Sequence, residues 1–157
     1  MLQCLVVFCA VMAASLGVAQ ADPVSPNGVR TLDPDGAVKA EGTWSLGTRA
    51  GDFVFISGMQ GYDPATNKLV ENPEARIERA FLNIKLIAQS EGASLTDCVR
   101  LTIYVSDLTR YAPMVDKVQA ALWGKPPYPP RTMVEVSRLF DDDIIEIDSV
   151  FYAPMGK

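Results

Sequence analysis

The chain has 157 residues and a formal net charge of -5, with 14 Lys and Arg against 19 Asp and Glu and no histidine. An acidic chain without a basic cluster lacks the electrostatic footprint of a nucleic-acid binder. The missing histidine removes Ser-His-Asp and Cys-His nucleophilic chemistry and most zinc sites, which leaves Glu, Asp, Arg, Lys, Tyr, backbone N–H groups and water for any catalysis.

Residues 1–21 carry no charge, and Leu5 to Val18 is almost wholly apolar and ends in Ala19-Gln20-Ala21. An apolar stretch before a small-x-small site predicts a cleaved signal peptide over 1–21, hence export to the periplasm or the medium and no lasting membrane span. If the leader does not function, the protein stays in the cytoplasm. Residues 22–157 then form one domain of 136 residues, long enough for a real core. Cys4 and Cys9 leave with the leader, so Cys98 has no partner for an intrachain disulfide and is expected to be a small apolar filler at a strand start.

The loose start at Asp22 to Asp35 holds a short first strand at Val29 to Leu32. Trp44 to Thr48 reads as a weak second strand and Phe53 to Ser57 as a strong third, ended by Gly58, which marks either a bulge or a close approach of ligand to backbone. Tyr62 to Lys68 is a turn, with Pro64 and Asn67 suited to its special backbone positions. A helix follows: Asn72 caps it, Pro73 takes the first position, Glu74 complements the dipole and Gly92 stops it. Its buried stripe is Ile77, Ala80, Phe81, Ile84, Ile87 and Ala88.

Val99, Leu101, Ile103 and Val105 alternate with Arg100, Thr102 and Tyr104 in a fourth strand. Asp107-Leu108-Thr109 is expected to turn the chain into a second helix from about Ala112 to Trp123, with Met114, Val118, Ala121 and Leu122 inside. A proline-rich connector from Gly124 delivers Arg131 to the start of a strand, Arg131 to Val136. Asp141-Asp142-Asp143 turns it into the last strand, Ile144 to Val150, which carries Glu146. If these two strands pair, the arginine that can grip a carboxylate and the glutamate that can handle a proton converge on one small anionic substrate; a cross-strand surface pair is the plain alternative. The order β-β-β-α-β-α-β-β predicts an α+β domain with two helices on one face of a mixed sheet, and the uncovered face predicts a homo-oligomer.

Several segments occur in an order that resembles the RidA (YjgF) family of reactive-intermediate deaminases. They are Ile56-Ser57-Gly58, Asp63-Pro64, Asn83-Ile84-Lys85, Glu91 to Leu95, Tyr104 to Leu108, Pro130 to Val136 and Glu146-Ile147-Asp148. The resemblance runs from about Val29 to Ala153. It implies a chorismate-mutase-like fold, a homotrimer with sites between subunits, no metal and no organic cofactor. The implied reaction is hydrolysis of 2-aminoacrylate-type enamines or 2-imino acids to 2-keto acids and ammonia. In it Arg131 would hold the substrate carboxylate, Glu146 would position water, and Trp44, Gly58 and the backbone of Met133 would contact substrate. Met133 stands where many members have cysteine, Trp44 where many have tyrosine, Met59 where glutamine is common and Val115 where asparagine is often found, which together suggest a more apolar pocket. A trimer of the same build that binds a small molecule without turning it over is the alternative, followed by an RNA-acting member. A binding or membrane role for the acidic chain beyond these is not expected.

Overall fold

The computed structural model describes residues 24–155, so the expected leader lies outside the described residues. The strands are β1 (Arg30–Leu32), β2 (Gly47–Ala50), β3 (Phe53–Met59), a short hairpin of β4 (Tyr62–Asp63) and β5 (Lys68–Leu69), β6 (Cys98–Val105), β7 (Arg131–Glu135) and β8 (Ile145–Tyr152); the helices are α1 (Pro73–Ser90) and α2 (Leu108–Trp123). Among the described residues, no helix is long and apolar enough to cross a membrane.

The main sheet runs in the order β1-β2-β3-β8-β6-β7. Every pair in it is antiparallel except β6 with β7, so it is mixed as expected. The parallel pair follows from its connection, because α2 carries the chain back along the sheet before β7 begins. The last two strands therefore do not pair with each other: β6 lies between them. Both helices cover the same face, where Ile77, Phe81, Ile84 and Ile87 of α1 meet Leu101, Ile103, Ile147 and Phe151 of the sheet, all fully buried.

α1 forms where its caps predict it. The Asn72 side chain accepts a hydrogen bond from Ala75 N–H (3.1 Å), Pro73 opens the first turn, and Gly92 beyond the end has φ +81°. The second helix starts four residues earlier than expected. Asp107, read as a turn residue, is instead its N-cap and accepts from Arg110 N–H at 2.9 Å. The longer helix buries Tyr111, Val115, Val118, Gln119 and Trp123; Met114 and Leu122 pack against the core as expected, and of the expected stripe only Ala121 is exposed.

Two strand readings also shift. Trp44 precedes β2, because its ring N–H donates to the Glu41 carbonyl (2.8 Å) within a loop and pairing to β3 begins only at Gly47. Val99 is exposed although Leu101, Ile103 and Val105 are buried, because a register shift between Cys98 and Arg100 moves it out of line. Cys98 is buried at the strand start, and burial pushes its thiol up to about 11.

Among the described residues no layer covers the second face of the sheet. Phe53, Phe55, Val134 and Tyr152 stand exposed on it, with Phe53 and Tyr152 in ring contact at 5.5 Å.

Candidate functional site

A bulge in β3 shapes the first half of the site. The register to β8 slips between Ile56 and Met59, and Gly58 lies within the slip. The Glu146 side chain rests directly on the Gly58 backbone. A Cβ built on Gly58 would stand 2.1 Å from Glu146 Oε1, 2.6 Å from Cδ and 2.8 Å from Cγ. Only glycine lets the carboxylate lie there. Beside it, the Ser57 hydroxyl donates to the carbonyls of Ser45 (2.8 Å) and Leu46 (3.1 Å), which fastens the loop carrying Trp44 to the bulge. Trp44 lines a cavity of about 520 Å³ with Leu32, Asp33, Lys39 and Ser45. Gly58 lines a second one of about 330 Å³ with Phe55, Arg100, Thr102 and Asp148 on the uncovered face.

Glu146 shares this face with its neighbour two residues on, Asp148, and with Tyr104 directly across on β6. Burial raises the Glu146 carboxyl above the ordinary range, and the charges of Asp148 and Asp143 push it further the same way. The Tyr104 hydroxyl donates to Asp148 (3.2 Å), whose charge is the main reason its own proton is held more tightly. A half-buried carboxyl that keeps its proton more readily than a solvated one is suited to proton transfer. Asp143 is buried behind it. Its carboxylate accepts from Gly61 N–H and Arg76 at 3.3 Å each, yet burial outweighs these contacts and raises it as well.

Arg131 lies elsewhere. In the β6–β7 register it stands beside Leu101 and Met133 beside Ile103, so both side chains share the helix-covered face, whereas Glu146 and Tyr104 point to the other. Its guanidinium donates to Gln119 Oε1 and Asp116 Oδ1 of α2, both at 2.7 Å. Two of five N–H donors are thus used, and three remain for a ligand. Met133 offers main chain as well. β7 is the sheet edge, and its even-numbered neighbours bond to β6, with Leu101 N–H donating to the Pro130 carbonyl and Val136 N–H to the Val105 carbonyl. The N–H and C=O of Arg131, Met133 and Glu135 therefore point outward from the edge.

One chain thus brings Gly58 and Glu146 together, sets Trp44 in a separate cavity, and places Arg131 and Met133 on the helix-covered face of the sheet. The expectation that Arg131 and Glu146 converge through neighbouring strands fails within the chain, because β6 separates β7 from β8. Met59 and Val115 are buried in the core between helices and sheet. Sequence reasoning missed Asp116, Gln119 and Asp148. Asp148 was accessible by counting two residues from Glu146 along a strand; the pair on α2 depends on that helix packing beside Arg131, which no local pattern gives. Among the described residues no group of three His, Cys, Asp or Glu side chains could hold a metal ion.

The family model described as Endoribonuclease L-PSP matches residues 35–152. A RutC family protein of Pyrococcus abyssi is 37% identical over 117 residues, covering 74% of this chain and 91% of the relative. A 2-iminobutanoate/2-iminopropanoate deaminase of Salmonella typhimurium is 31% identical over 123 residues, covering 77% of this chain and 95% of the relative. The crystal structure of RidA from the Antarctic bacterium Psychrobacter sp. superposes with a TM-score of 0.74 at 37% identity, covering 78% of this chain and 98% of that one.

Proposed function

This chain belongs to the RidA (YjgF) family, and from that premise we propose that it is an enamine/imine deaminase. Its substrates are 2-aminoacrylate-type enamines or 2-imino acids, and its products are 2-keto acids and ammonia. The deaminase named among its relatives supports the reaction class. The observation that carries the reading is the Glu146 carboxyl seated on the Gly58 backbone with its proton affinity raised.

The imine carbon is already electrophilic, so no nucleophilic side chain is required. Arg131 holds the substrate carboxylate through two parallel hydrogen bonds. Glu146 orients a water, takes one of its protons as the oxygen bonds to the imine carbon, and passes that proton to the nitrogen to give a carbinolamine. It then takes the hydroxyl proton and delivers it to the amine nitrogen as the C–N bond breaks and the carbonyl forms, so ammonia leaves and the carboxylate is restored. An enamine first gains a proton at carbon, a step open to protonated Glu146. The outward N–H of Met133 and the ring of Trp44 bound the substrate.

Because Arg131 and Glu146 face opposite sides of one sheet, we assign each site to two chains: Arg131 and Met133 from one, Trp44, Gly58 and Glu146 from its neighbour. A homotrimer supplies three such sites and covers Phe53, Phe55 and Tyr152. Among the alternatives, an RNA-acting role has no support from the net charge of -5. The leader at 1–21 is proposed to direct export, and a mature N-terminus at Asp22 in protein recovered outside the cytoplasm tests it.

The enzymatic test is release of keto acid and ammonia from freshly generated imino acids, from alanine-derived to large apolar ones. Acceleration over buffer that is lost in Glu146→Gln supports the reading. No acceleration across the panel overturns it and leaves a binding trimer.

A further inference from the structure

We propose that Asp116 and Gln119 are positioning residues that set the Arg131 guanidinium for a substrate carboxylate; this rests on the reading of Arg131 given above. Arg131 opens an edge strand after a proline-rich connector, and α2 supplies the hydrogen-bond partners of its side chain. A free arginine there would sample many rotamers, and a carboxylate would have to order it on binding. Asp116 and Gln119 sit one helical turn apart, which puts both on the same side of α2. One takes Nη2 and the other Nη1, each at 2.7 Å. Two acceptors on two different nitrogens fix the plane of the fork as well as its place.

Gln119 is the more telling of the two. It is 5% exposed on a helix face otherwise filled by Tyr111, Val115, Val118 and Trp123. Its amide must present oxygen to Arg131, because the opposite orientation would set N–H against N–H. Being neutral, it orients the guanidinium without cancelling its charge. Asp116 supplies the one carboxylate, so the group still attracts an anion when the substrate arrives.

The test compares wild type with Gln119→Leu, Gln119→Glu, Asp116→Ala and Arg131→Ala. Two readouts are used: KM and kcat for imino-acid hydrolysis, and equilibrium affinity for 2-oxobutanoate, a 2-keto acid that reports carboxylate binding without turnover. Loss of one hydrogen bond to a charged group should raise KM and weaken 2-oxobutanoate roughly 10-fold in Gln119→Leu. kcat should change much less, and Gln119→Glu, which keeps the oxygen acceptor but adds a second negative charge beside Arg131, should not recover the loss. Asp116→Ala, at an exposed position, gives the same direction of change if Gln119→Leu does not fold. Unchanged affinity in Gln119→Leu or, failing that, in Asp116→Ala, while Arg131→Ala abolishes binding, overturns the positioning role alone. If Arg131→Ala also retains wild-type affinity, or if wild type neither binds nor hydrolyses, the reading of Arg131 fails and takes the inference with it.

Discussion

Gly58→Ala separates the catalytic reading from a purely structural one. The added methyl would stand 2.1 Å from Glu146 Oε1, and its nearest contacts are all atoms of that one side chain. Carbon and oxygen settle at about 3.3 Å or more, so the carboxylate must withdraw by roughly 1 Å. A displacement of that size at a reacting group costs about 100-fold in rate, or about 2.7 kcal/mol of barrier. The fold should suffer less, because the side chain that moves is flexible and borders a cleft; overpacking of this mild kind costs about 1 kcal/mol. Imino-acid hydrolysis and urea unfolding on the same preparation measure the two effects. The expected result is a variant that folds cooperatively and has lost most of its turnover. Gly58→Ala with activity within about threefold of wild type would refute the placement of Glu146 at the reacting centre.

Two further substitutions and one labelling experiment probe the rest of the account. Glu146 holds its proton more tightly when folded, so the stability this supplies is present below the ordinary glutamate value of about 4.3 and is lost as pH rises through the raised folded value. Glu146→Gln should therefore be inactive yet more stable than wild type at pH 8, with that advantage gone near pH 4; urea midpoints that keep the same difference at both values contradict it. Cys98 is buried with its thiol raised to about 11, so iodoacetamide at pH 8 should leave it unmodified until denaturant is added, as read by peptide mass spectrometry; rapid labelling of folded protein counts against this packing. Arg49 donates to Glu91 Oε2 at 2.5 Å, to the Glu91 carbonyl at 2.7 Å and to the Ala153 carbonyl at 2.7 Å, tying β2 to the end of α1 and the end of β8. Arg49→Ala leaves Glu91 short of a buried partner and should cost about 3 kcal/mol in denaturant unfolding; a loss below about 1 kcal/mol would show that Arg30 alone satisfies the carboxylate.

Local chemistry was legible in the sequence and long-range pairing was not. The caps of α1 act through neighbours three residues away, so Asn72, Pro73 and Gly92 could be placed without any knowledge of the sheet. Asp107 carried an equal signal but was read as part of a turn, and the helix accommodates Pro113 inside its second turn. The alternation in β7 and β8 gave their faces but not their neighbours, and Arg131 and Glu146 were wrongly set side by side. The order β6–α2–β7 held the correction, since a helical crossover favours parallel adjacent strands. The Gly58–Glu146 contact spans 88 positions and depends on a bulge, which no local pattern announces. Trp44 was read as the start of a weak strand, whereas its ring N–H holds a loop instead.

The central claim is that Arg131 of one chain and Glu146 of another act on one substrate. It is tested most directly by mixing subunits. Arg131→Ala and Glu146→Gln proteins are inactive alone, then unfolded together in equal amounts and refolded. Random reassembly gives roughly a quarter of the sites an intact arginine and an intact glutamate, so about a quarter of wild-type imino-acid hydrolysis should return. A mixture that assembles to the wild-type size and remains inactive would contradict a site shared between chains.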